Sequence, residues 1–89
     1  EDAFERGRYA SAREAALAAL KLDPASSDAR TLLEDAEGAL AVERHLKQAK
    51  AAMGRGDREA ALREVRAGLA IAPTDGRLAA LERQLSARQ

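Results

Sequence analysis

Two stretches of this chain, 49 residues apart, carry one pattern, and that repetition constrains the fold more than any other feature. Ala3-Phe4-x-Arg6-Gly7, Ala12, Ala18-x-Leu20 and Pro24 return as Ala52-Met53-x-Arg55-Gly56, Ala61, Ala67-x-Leu69 and Pro73. Each copy reads as the end of one helix, a glycine turn, a second helix of about four turns and a closing proline. Repetition of this kind means stacked helical hairpins, because one hairpin cannot bury its apolar face alone. It points to holding something rather than transforming it.

Twenty-three alanines and twelve leucines supply most of the apolar set, with Phe4 and Tyr9 the only aromatics, so the core has to come from closely approaching helices. The absence of cysteine excludes a disulfide framework, thiolate zinc and a cysteine nucleophile. It leaves the compartment open, with a soluble, cytoplasmic setting expected over a secreted one. The longest apolar stretches, such as Ala15 to Leu20, fall far short of the roughly 18 to 20 residues a membrane helix needs, so no membrane partner is expected. Glu1-Asp2-Ala3-Phe4 matches the last turn of the helix that precedes Gly56. The expectation is therefore a piece of a longer protein with a further helix upstream.

An all-α domain of four helices follows, over about 8–22, 28–53, 58–72 and 76–87. Gly7 is expected to end a preceding helix as a left-handed cap, and Asp23-Pro24 stops the first helix, whose stripe is Tyr9, Ala12, Ala16, Ala19 and Leu20. Ser26, Ser27 and Asp28 are candidate caps for the second helix. From there to Met53 there is no proline and one glycine, so the second helix is long, either continuous or broken at Gly38. Leu32, Leu33, Ala36, Leu40, Leu46, Ala49 and Met53 mark its buried side. Gly54-Arg55-Gly56-Asp57 forms the next turn, with glycine supplying positive φ and Asp57 capping the third helix, which turns Ala61, Val65, Gly68, Leu69 and Ala72 inward. Gly68 marks a close helix approach. Pro73-Thr74-Asp75 caps the fourth helix, with Leu78, Leu81 and Leu85 on its apolar side.

Gly7-Arg8-Tyr9-x-x-Ala12, with Ala16, Ala19 and Leu20-x-Leu22-Asp23-Pro24, resembles the second half of a tetratricopeptide repeat, and Gly56-Asp57-x-x-x-Ala61 through Gly68-Leu69-x-Ile71-Ala72-Pro73 resembles it again. The likeness covers nearly the whole chain. That family's period is about 34 residues, so the spacing of 49 puts 15 further residues into the second helix. Fifteen residues lengthen a helix by about 22 Å and turn its contact face by about 60°. The resemblance implies α-α hairpins and a protein-binding role. It places groove-lining positions at Glu43, Leu46, Lys50 and Met53 in the second helix and at Arg77, Ala80, Gln84 and Arg88 in the fourth.

Catalytic and metal readings find little support. His45 is the only histidine and sits among Arg44, Lys47 and Gln48, so neither a histidine zinc site nor a histidine pair can be assembled. Glu34-Asp35-Glu37 lacks calcium-loop spacing, and Gly54-Arg55-Gly56 lacks the strand and the Lys-Ser/Thr of a phosphate loop. Ser11, Ser26, Ser27 and Ser86 have no nucleophile elbow around them. No catalytic residue, metal or cofactor is expected.

Charge is distributed unevenly on a chain of zero net charge: residues 1–43 carry ten acids and five bases, and residues 44–66 carry seven bases and three acids. The basic run Arg44, Lys47, Lys50, Arg55, Arg58, Arg63 and Arg66 has neither an overall positive balance nor aromatic platforms beside it, which disfavours nucleic acid and favours an acidic peptide or protein surface. The expected function is a scaffold or adaptor module that binds a partner's peptide or helix. Leu46 and Met53 would act as apolar anchors, with Lys50, Arg77 and Arg88 selecting acidic groups and Glu43 and Gln84 beside them. The alternative is a self-association element, with a second copy covering exposed parts of the long helix.

Overall fold

The computed structural model describes residues 2–87, with side chains from residue 7 onward, so Phe4 and Arg88 as side chains lie outside the described residues. Four helices make up the fold: α1 (Asp2–Leu22), α2 (Ser27–Gly54), α3 (Arg58–Ile71) and α4 (Gly76–Ser86). Among the described residues there is no strand, and the protein is all-α. The long helix α2 runs unbroken through Gly38. No described helix is long and apolar enough to cross a membrane.

The two proline turns share the same backbone hydrogen bonds. Asp23 N donates to Ala19 O at 2.9 Å and Ser26 N to Asp23 O at 3.0 Å; 49 residues on, Ala72 N donates to Gly68 O at 2.9 Å and Asp75 N to Ala72 O at 3.1 Å. Ser26 Oγ then accepts from Ala29 N at 3.1 Å, and Asp75 Oδ1 accepts from Leu78 N at 3.2 Å, so each following helix has a side-chain cap at the same place.

The glycine turns are not equivalent, and here the expectation at Gly7 is corrected. Gly56 has φ +76° and closes α2 in a Schellman arrangement, with Asp57 N donating to Ala52 O at 2.9 Å and Gly56 N to Met53 O at 3.0 Å. Asp57 Oδ1 then caps α3 by accepting from Ala60 N at 3.1 Å. Gly7, in contrast, lies inside α1 with no positive φ. The reason is local: Arg8 stands where Asp57 stands in the second copy, and Glu5 where Gly54 stands. Without a capping side chain, a break would leave backbone N–H groups unsatisfied, so continuing the helix is the better solution.

The chain forms two compact units, residues 1–40 and residues 41–89, with α2 contributing to both. The second unit holds the larger core: Val42, Leu46, Ala49 and Ala52 from α2, Ala61, Leu62 and Val65 from α3, and Leu78 and Leu85 from α4. Val65 and Leu78 are fully enclosed. Gly68 allows the close approach, since a Cβ there would lie 2.6 Å from Leu78 Cδ1 and 3.4 Å from His45 Cβ.

In the first unit the buried apolar residues are Ala16, Ala29 and Ala36. Their counterparts 49 residues later are Val65, Leu78 and Leu85. The same positions are buried in both, but the first unit fills them with methyl groups. Its larger side chains are not enclosed: Leu22 is 90% exposed, Leu32 43% and Leu17 36%, while Tyr9, Leu20, Leu33 and Leu40 are half-buried. Ala19 and Leu32, expected inside, are exposed, because alanine-sized contacts bring only a narrow stripe of each helix out of water.

Candidate functional site

In the second unit, Met53 at the end of α2, Gly56 in the turn, Arg58 at the start of α3, and Gln84 and Leu85 near the end of α4 line a hollow of about 310 Å³. Gly56 leaves one wall without a side chain. Arg58 reaches across to α4, where its Nε donates to Leu85 O at 2.7 Å and so satisfies a carbonyl of the last turn. Its Nη2 is buried without a hydrogen-bond partner.

The first unit has a hollow of about 250 Å³ lined by Arg8, Tyr9, Ala12, Leu32, Asp35 and Ala36. Tyr9, Asp35 and Ala36 are the positions 49 residues before Arg58, Gln84 and Leu85. Three lining positions of each hollow are therefore related by the repeat, although Arg58 begins α3 whereas Tyr9 lies inside α1. The linings differ in chemistry. The second offers a thioether, an arginine and an amide; the first offers a phenol ring, a carboxylate, small apolar walls and an arginine at the rim.

The charges separate the same way. Residues 1–40 carry nine acids and five bases, net −4, and residues 41–89 carry six acids and ten bases, net +4.

Of the residues expected to contact a partner, Met53 and Gln84 meet in the second hollow, and Lys50 is exposed on α2. Two expectations are corrected. Leu46 is 3% exposed within the core, and Glu43 is 5% exposed and bound to Arg77, so neither is a surface contact. That part of the assigned groove face is instead packed in the core of the second unit, while Lys50 stays exposed. Arg77 is held by two carboxylates: its Nη2 lies 2.7 Å from Glu43 Oε2 and 3.0 Å from Asp75 Oδ2. The hydrogen bond to Asp75 and then that to Glu43 push the guanidinium pKa up, and the same Arg77 bond holds the Asp75 carboxyl below the ordinary carboxylate range. This cluster ties α2 to the cap of α4. Ala80 is exposed, and Arg88 lies outside the described residues.

His45 is half-buried and its Nδ1 lies 2.8 Å from Glu64 Oε1, which links α2 to α3. With its amide turned to donate, Gln48 reaches the same carboxylate oxygen at 2.7 Å. Among the described residues no group of three or more histidine, aspartate or glutamate side chains is placed to hold a metal ion. Sequence reasoning missed Arg58 and Leu85 in one hollow and Arg8, Tyr9 and Asp35 in the other as lining residues. The 49-residue period was the available signal, since it relates the two linings directly. No protein-family model, curated protein or solved structure matches this chain.

Proposed function

We propose that this chain is a helical-repeat interaction module, tetratricopeptide-like in its proline-turn hairpins, that holds a peptide or helix of a partner protein and has a scaffold or adaptor role rather than a catalytic one. The observation that carries the reading is the recurrence of one hollow at equivalent positions of both units, with Tyr9, Asp35 and Ala36 answering to Arg58, Gln84 and Leu85. A hollow repeated with the backbone, but relined with other chemistry, suits taking up a side chain of a partner peptide in each unit. The positive balance of the second unit and the apolar Met53 and Leu85 favour an acidic partner residue next to an aliphatic one at that hollow.

Fluorescence anisotropy with labelled peptides pairing glutamate with leucine tests this. The wild-type chain is expected to bind them, and Met53→Glu and Lys50→Glu each to weaken binding at least about tenfold, or about 1.4 kcal/mol. Wild-type binding by Met53→Glu removes the second hollow as the docking position, and wild-type binding by Lys50→Glu removes Lys50 as an acid-selecting contact.

A further inference from the structure

We infer that the hollow of the first unit is a docking site for a basic side chain, an arginine or lysine carried on a peptide segment of a partner protein. This rests on reading the repeated hollow as a docking position and assigns the chemistry of its first copy. Tyr9 supplies an aromatic ring, Leu32, Ala12 and Ala36 supply apolar wall, and Asp35 supplies a carboxylate, all around a space of about 250 Å³. Long basic side chains need such a combination, because their methylene stems lie on apolar surface while the charged head meets an aromatic face or an anion. Asp35 is exposed, and among the described residues it has no ion-pair partner. The surrounding unit is net −4, so an approaching cation is attracted before it makes contact.

The equivalent hollow in the second unit has Arg58 in place of Tyr9 and Gln84 in place of Asp35, which removes both the ring and the anion. The two hollows thus select residues of opposite character.

Tyr9 provides the readout. It is the only tyrosine in a chain without tryptophan, so intrinsic emission reports on this hollow alone. The probe is a short acetylated and amidated peptide, Ala-Leu-Arg-Leu-Ala, compared with the same peptide bearing norleucine or glutamate in place of arginine. Titration of the 89-residue chain at low salt is expected to change Tyr9 emission with the arginine peptide, at least fivefold more weakly with norleucine, and not at all with glutamate. Asp35→Asn is expected to weaken arginine-peptide binding at least fivefold, with far-ultraviolet circular dichroism showing unchanged helicity.

Equal affinity for arginine and norleucine peptides, or an Asp35→Asn chain that binds like wild type, overturns the assignment. So does sedimentation showing that the chain alone associates and that association alters Tyr9 emission, since the occupant is then a second copy. Because Met53 and Lys50 variants leave Tyr9 and Asp35 untouched, failure at this hollow and failure at the other are read separately.

Discussion

Gly68 and Arg77 show how single residues fix the contacts of the second unit. At Gly68 two effects compete: alanine gains about 1 kcal/mol of helix propensity, while overpacking costs about 1 to 3 kcal/mol. A Cβ 2.6 Å from Leu78 Cδ1 meets a side chain that is itself fully buried and has no free space to turn into, so overpacking wins. Gly68→Ala is expected to lower stability by about 1 kcal/mol in urea denaturation. Arg77→Ala strands Glu43, a carboxylate 5% exposed, and is expected to cost about 2 kcal/mol. Adding Glu43→Gln should return part of that loss, which a double-mutant cycle measures. The acid side follows from Asp75, whose folded pKa is depressed by Arg77: the unfolded chain binds more protons as pH falls, so the stabilisation is present above the unfolded carboxylate value and is lost as pH drops through the folded one. Melting temperature should therefore fall below about pH 4, and Asp75→Asn, which keeps a capping oxygen, should flatten that fall.

At the scale of the elements, glycines that look alike in sequence have opposite roles. Gly7 and Gly56 occupy matching places in the repeated pattern, but one is inside α1 and the other closes α2 with φ +76°. Nothing lies within 4 Å of a Cβ at either position, so backbone conformation alone separates them. Gly7→Ala is expected to raise stability by up to about 1 kcal/mol, and Gly56→Ala to lower it by about 1 kcal/mol. Thermal melts of the two variants, moving in opposite directions, check this. The proline turns behave as the sequence suggests, because Pro24 and Pro73 restrict the preceding residue and Ser26 and Asp75 supply the caps. Where capping chemistry is written into the chain, turns were legible; where Arg8 replaces an aspartate, the glycine alone was misleading.

For the molecule as a whole, the two units differ in how much apolar surface each removes from water. Alanines fill in the first unit the positions that Val65, Leu78 and Leu85 fill in the second, and each missing methylene forgoes about 0.8 kcal/mol. Unfolding is therefore expected to begin in residues 1–40. Native-state hydrogen exchange should show amides of α2 before Leu40 exchanging faster than those after Val42, within one continuous helix. Uniform protection along α2 would show instead that the helix opens as one piece.

The four helices, the proline turns and their caps were legible in the chain because each depends on neighbouring residues, and the 49-residue period related the two units, whereas the continuation of α1 through Gly7 was not legible. Which side of α2 is covered came from packing between residues distant in the chain, and with it that Leu46 and Glu43 belong to the interior while Arg58, Tyr9 and Asp35 line hollows. Burial depends on which distant residues arrive. In α2 the spacing 29, 33, 36, 40 and then 42, 46, 49, 53 is helical in each run, and the neighbours that assign each run to a unit come from other helices.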